Sequence, residues 1–179
     1  MTERSESLAL IATSDGRGTA NPSDVILNAR WKRFAFFRPC FLQADQLSKL
    51  RILLADDHPH VPETVSNLLQ PIFEIVGTVG DGRALLEAAE RLKPDVIVTD
   101  ISMPILNGIK AATQLSESGC ASKIVFLTVH TDPDFIRACL AIRALGYVVK
   151  RRMATDLLPA IEAALAGHVF VSPSLRYSD

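Results

Sequence analysis

Five residues of this chain have the types and spacing to do chemistry. Asp56 and Asp57 follow the apolar run Ile52-Leu53-Leu54, and Asp100 closes Val96-Ile97-Val98-Thr99. Thr128 closes Ile124-Val125-Phe126-Leu127, and Lys150 closes Tyr147-Val148-Val149. Three carboxylates brought close together repel, and unpaired at least one of them takes up a proton. A divalent cation relieves the conflict. Hard oxygen ligands with few protein contacts favour Mg2+, leaving other positions to water and phosphate. With that cation, the Lys150 ammonium and the Thr128 hydroxyl, the same site favours a phosphoryl group. Asp100 is then the natural nucleophile, because a carboxylate can form an acyl phosphate. Singly, these residues read blandly: an Asp-Asp pair as a turn or cap, Lys150 as a solvated charge, Thr128 as a strand end. The chemical reading rests on all of them together.

Bringing these positions together requires a particular arrangement of elements. The runs that precede them, with Phe73 to Thr78, are β-branched, apolar on both faces and bounded by Gly, Pro or charge, as buried parallel strands are. Helical spacing lies between them: Val61, Val65, Leu68 and Leu69; Leu85, Ala88, Ala89 and Leu92; Ile105, Ile109 and Ala112; Ile136, Cys139 and Leu140; Leu158, Ile161 and Leu165. Asp132-Pro133 places a capping side chain before a proline at the first helical position. Pro62 and Pro159 are tolerable if each helix starts three or four residues earlier, where the amide has no partner to lose. Gly119 and Gly167 sit just past helix ends, where a left-handed residue is needed. Five strands alternating with five helices predict an α/β fold, a parallel sheet covered on both faces by right-handed crossovers. In such sheets ligands bind at the carboxyl ends of the strands, which is where all five residues fall.

Composition permits one domain and a tail. The chain has 179 residues, a hydrophobic fraction of 48% and a net charge of -1. Its pI near 6.4 points neither to nucleic acid nor to an anionic membrane. No apolar run approaches the roughly 20 residues of a membrane span, and Leu8 to Ala12 is too short for a secretory leader. Cys40, Cys120 and Cys139 show neither paired nor metal-ligand spacing, and Cys139 reads as a small buried hydrophobe. The expectation is a reduced, cytoplasmic protein. Residues 1–49 lack periodicity and read as a poorly structured extension containing a short basic and aromatic stretch, Trp31 to Pro39. Residues 50–168 form the expected domain, and 169–179 the start of a linker or tail.

Four segments resemble the response-regulator receiver family of bacterial two-component signalling. Arg51-Ile-Leu-Leu-Ala-Asp-Asp-His-Pro looks like its opening, and Lys93-Pro-Asp-Val-Ile-Val-Thr-Asp-Ile-Ser-Met-Pro with Asn107-Gly108 like its phosphorylation segment. Leu127-Thr128-Val129-His130 resembles its switch segment and Gly146-Tyr147-Val148-Val149-Lys150-Arg151 its closing motif. Asp-Asp-His-Pro and Val171-Ser172-Pro173 are most similar to the NarL/FixJ (LuxR-type) branch. The resemblance covers about residues 50–173. It implies a flavodoxin-like (CheY-like) doubly wound sheet of order 2-1-3-4-5. It implies that Asp100 accepts a phosphoryl group from a sensor histidine kinase or phosphotransfer protein. It assigns Mg2+ to Asp56, Asp57, Asp100 and the Ser102 backbone carbonyl, and phosphoryl contacts to Thr128 and Lys150. Tyr147 becomes an aromatic switch coupled to Thr128, changing a surface that binds a downstream protein or a second copy.

Other residues near these motifs read more plainly. His58 reads as a loop or helix-start residue, His60 as solvent-facing, and His130 and Ser102 as neighbours of the site mouth that influence acyl phosphate hydrolysis. Haloacid-dehalogenase-like phosphatases also use an aspartate on a parallel sheet, but need a second Asp two positions on, where this chain has Ser102. The helix-turn-helix domain that normally follows a NarL/FixJ receiver has no room before Asp179. The expectation is therefore a stand-alone receiver or a truncated transcriptional regulator, with no DNA-binding domain. Ala144-Leu145-Gly146 replaces the more usual small-residue run before the switch aromatic.

Overall fold

The computed structural model describes residues 49–175. Residues 1–48, with Cys40 and the stretch Trp31 to Pro39, lie outside the described residues, as do 176–179. Within the described part the elements alternate. They are β1 (Arg51–Ala55), α1 (His60–Leu69), β2 (Glu74–Val79), α2 (Gly82–Leu92), β3 (Val96–Thr99), α3 (Gly108–Glu117) and β4 (Lys123–Thr128). Then follow α4 (Pro133–Ala141), β5 (Gly146–Val149), α5 (Met153–Leu165) and β6 (Phe170–Val171), with short 3-10 turns at Lys150–Arg152 and Pro173–Leu175. The strands form one sheet of order β2-β1-β3-β4-β5-β6 with parallel pairing throughout.

The strand sequences explain why both faces are covered. Side chains alternate between faces along a strand, so Ile52 and Leu54 enter one core while Leu53 and Ala55 enter the other. The first core joins Ile52, Leu54, Val98, Leu127 and Val148 to Val65 and Leu69 of α1 and Leu157 and Ile161 of α5. The second joins Leu53, Ala55 and Ile97 to Leu85 and Ala89 of α2 and Ala111 and Leu115 of α3. A third, around Phe126 and Tyr147, takes Cys139 of α4. Cys139 is fully buried, and that burial pushes its thiol up to about 12, in keeping with the small hydrophobe expected there. Gly119 and Gly167 both adopt positive φ, 76° and 77°, past the ends of α3 and α5.

Three sequence expectations need correction. Ile105 is not helical. The Asn107 side chain accepts from the Lys110 amide at 2.8 Å and starts α3 at Gly108, leaving Ile105 in the preceding loop at φ 66° and 84% exposed. Pro62 does lie in the first turn of α1, but Pro159 is seventh in α5. An interior proline costs about 3 kcal/mol; complete burial of Leu157, Ala160, Ile161 and Ala164 on one face of that helix offsets it.

The third correction concerns the expected tail. Residues 170–175 belong to the domain, because Phe170 and Val171 pair with Gly146 and Tyr147 as a sixth strand. A buried network fastens this end. Ser172 Oγ donates to Asp156 Oδ2 at 2.8 Å and accepts from the Val149 amide at 3.2 Å, while the Ser172 amide donates to Tyr147 O at 2.9 Å. Asp156 is 5% exposed. Burial would raise its pKa, but hydrogen bonds from Thr155, Ser172 and Arg152, with the Arg152 charge, hold it below the ordinary 3.8. A depressed folded pKa adds stability above the unfolded value, and that stability is lost as pH falls through the folded one. Ser172→Ala is expected to lower the unfolding free energy by about 1–3 kcal/mol at neutral pH. The deficit should shrink in acid, once Asp156 is protonated in both proteins. Urea unfolding at pH 7 and at acid pH checks this, and an unchanged midpoint at neutral pH contradicts it.

Candidate functional site

The carboxyl edge of the sheet gathers the residues that the sequence singled out. β1 ends at Ala55 and delivers Asp56, 7% exposed; β3 ends at Thr99 and delivers Asp100, 1% exposed. The two strands are adjacent, with Ala55 opposite Thr99, so register alone brings these carboxylates together. Lys150 follows β5. Its Nζ lies 2.7 Å from Asp56 Oδ2 and 2.7 Å from Asp100 Oδ2. Burial alone would lower the Lys150 pKa; the hydrogen bond to Asp100 and the close charges of Asp100 and Asp56 outweigh it and raise the pKa above 10.5. The ammonium is therefore locked on at neutral pH. Asp100 Oδ1 also accepts from the Ile101 amide at 2.6 Å.

Gly108 lets α3 begin against this strand end. A Cβ there would sit 1.9 Å from the Asp100 carbonyl oxygen, so a larger residue forces Asp100 and its loop apart. Asn107-Gly108 thus has two separate jobs, a helix cap and a close approach.

Asp57 and His58 complete the cluster. One donor atom from each of Asp56, Asp57, His58 and Asp100 lies within 4.8 Å of the others. His58 Nδ1 is 2.8 Å from Asp57 Oδ1 and 3.3 Å from Asp56 Oδ1. Asp56 Oδ2 is buried without a hydrogen-bond partner, since the Lys150 contact is close in distance but lacks hydrogen-bond geometry. Three clustered carboxylates, of which the Lys150 ammonium meets only Asp56 and Asp100, fit a divalent cation.

The remaining expected residues are placed as follows. Thr128 is fully buried at the end of β4, and its Oγ1 accepts from the His130 amide at 3.3 Å. Tyr147 is fully buried and turned inward, its hydroxyl donating to the His130 carbonyl at 3.1 Å. Burial first, then the nearby charges of Cys139, Asp100 and Asp132, raise the Tyr147 pKa, so it stays a neutral donor. Ser102 Oγ and His130 Nε2 are 2.7 Å apart, and the His130 ring stacks on Phe135 at 4.3 Å between centroids. His130 thus links the segments after β3 and β4 to Tyr147. Sequence reasoning missed the inclusion of His58, although its adjacency to Asp56-Asp57 was a signal. It also missed the Asp156–Ser172 pair, for which a helix-start aspartate offered none.

A doubly wound parallel sheet with an acidic cluster and a lysine at its carboxyl edge defines a receiver module of two-component signalling. The sequence places the chain there as well: the response regulator receiver domain model matches residues 52–162, and this chain belongs to that family. Such modules are signalling domains rather than conventional enzymes. The transcriptional regulatory protein DegU of Brevibacillus brevis is 32% identical over 133 residues, covering 73% of this chain and 56% of that protein. The nitrate/nitrite response regulator protein NarL of Escherichia coli K12 is 35% identical over 126 residues, covering 69% and 58%. The chain thus spans less than two thirds of the length of these relatives. The isolated REC domain of RcsB from Salmonella enterica serovar Typhimurium, solved with the phosphomimetic BeF3-, superposes with a TM-score of 0.66 at 30% identity, covering 71% of this chain and 96% of that one. Among the described residues no helix is long and apolar enough to cross a membrane.

Proposed function

We propose that Asp100 accepts a phosphoryl group from a histidine kinase or a phosphotransfer protein, and that this switches a partner-binding surface. The observation that carries the reading is Asp100 itself, buried at the end of β3 and sharing one ammonium with Asp56. An Asp100 carboxylate oxygen attacks phosphorus. The bond to the donor imidazole breaks, and its electron pair leaves with the imidazole nitrogen. Asp56, Asp57, Asp100 and the Ser102 backbone carbonyl would hold Mg2+, which when bound supplies positive charge to the phosphoryl oxygens. Lys150 adds its ammonium and Thr128 its hydroxyl. To reach the phosphoryl group Thr128 gives up its contact with the His130 amide, and Tyr147, bonded to the His130 carbonyl, responds. The surface of α4, β5 and α5 is the output, and a downstream protein or a second copy reads it. The work is cytoplasmic, and the functional unit runs through residue 175.

The test is to incubate the chain with acetyl phosphate and MgCl2 and to record intact mass and peptide masses. A single adduct is expected, located on the peptide containing Asp100 and not formed when EDTA is present from the start. An adduct on another peptide contradicts the site. No adduct at all favours a domain that binds its partner without phosphorylation.

A further inference from the structure

His58 lies where the sequence reading placed only a loop or helix-start residue. Its Nδ1 sits 2.8 Å from Asp57 Oδ1 and 3.3 Å from Asp56 Oδ1. Its backbone amide donates to Asp56 Oδ1 at 3.0 Å, which fixes the residue over the acidic pair. The side chain is 65% exposed, so it is not a core histidine with satisfied partners. Donor atoms of Asp56, Asp57, His58 and Asp100 all lie within 4.8 Å of one another, and Asp56 Oδ2, buried 2.7 Å from Lys150 Nζ, makes no hydrogen bond.

We infer that His58 is a nitrogen ligand of this cation site, so that the site takes first-row transition cations as well as Mg2+. The inference rests on the cation reading proposed above and deepens it. Carboxylate and carbonyl oxygens suit Mg2+, whereas an imidazole nitrogen suits later first-row cations such as nickel, copper and zinc, and affinity for such sites rises from manganese through cobalt to copper before falling at zinc. Adding one nitrogen to three carboxylates raises affinity for the softer cations far more than for Mg2+. Ligation uses the Nδ1 lone pair, with the ring proton on Nε2. The hydrogen bond of His58 Nδ1 to Asp56 Oδ1, and its close approach to Asp57 Oδ1, are exchanged for bonds to one ion. A histidine that only braces the loop through hydrogen bonds has no such cation preference, and that difference separates the two roles.

The experiment is calorimetric titration of the full chain with CoCl2 and with MgCl2 at matched ionic strength, for the wild type, His58→Gln and Asp100→Asn, with visible spectra of the Co2+ forms. His58→Gln is expected to weaken Co2+ binding about tenfold or more, to change Mg2+ binding by less than about twofold, and to shift the Co2+ bands. Equal losses for both ions, or an unchanged Co2+ affinity, overturn the inference and leave the Mg2+ site standing. Undiminished Co2+ binding in Asp100→Asn also overturns it, since the ion then sits elsewhere. A wild type that binds Co2+ through His58 but not Mg2+ contradicts the Mg2+ reading and supports the ligand assignment.

Discussion

Asp100→Asn will abolish the acetyl phosphate adduct and leave the fold in place. Asn keeps the shape of Asp100, whose side chain is 99% buried, so it opens no cavity. Its one oxygen can still accept from either Lys150 or the Ile101 amide, which meet the two carboxylate oxygens at 2.7 and 2.6 Å. The neutral amide has no carboxylate oxygen able to form an acyl phosphate, so loss should be complete rather than graded. Removing one of three clustered negative charges also relieves repulsion. The change in unfolding free energy should therefore stay within about 2 kcal/mol. Intact mass and thermal unfolding read the two parts separately. An adduct that persists in the variant sinks the assignment of Asp100, whatever its stability.

Lys150→Met should destabilise the chain most, in a way that a divalent cation repairs. The ammonium, 11% exposed on its side chain, is the shared positive partner of Asp56 and Asp100. Met keeps the methylene length but leaves both buried carboxylates facing each other. Breaking a buried charge pair from one side costs about 3–5 kcal/mol. The upper end requires that no cation enters, so the loss should be largest in EDTA and should narrow with millimolar MgCl2. The Lys150 pKa is raised in the folded state, so its contribution is fully present below 10.5 and is lost only as pH rises through the folded value. The difference between variant and wild type is therefore flat through neutral pH. Urea unfolding in EDTA and in MgCl2 measures this. An equal difference in both solutions contradicts the shared-charge account.

Much of this chain was legible before folding because its signals are local. Buried parallel strands carry apolar residues on both faces, so β1, β3, β4 and β5 read directly from their runs, and each of these four runs ended at the residue it delivers to the sheet edge. The capping pair Asp132-Pro133 read correctly because a cap depends on a few consecutive residues. The side chain of Asp132 accepts from the Asp134 amide at 2.8 Å. Ile105 failed for the same reason. Its helical spacing was real, but spacing does not show that Asn107 starts the helix two residues later.

What sequence alone determined is the list of reactive groups and the edge at which they meet, because strand ends follow from local pattern and right-handed crossovers put those ends on one edge, while the strand order was implied only by the family resemblance. What only the tertiary structure decided is how those groups are partnered. Lys150 bridges Asp56 and Asp100, residues 94 and 50 positions away in sequence, and no local pattern states which of three carboxylates an ammonium will choose. His58 joins the cluster because the turn after β1 folds its ring back onto the acidic pair. Ser172 reaches Asp156 only because a two-residue strand of ordinary composition finds the free edge of β5. Pairings of this kind depend on distance in space, and side chains far apart in sequence carry no record of it.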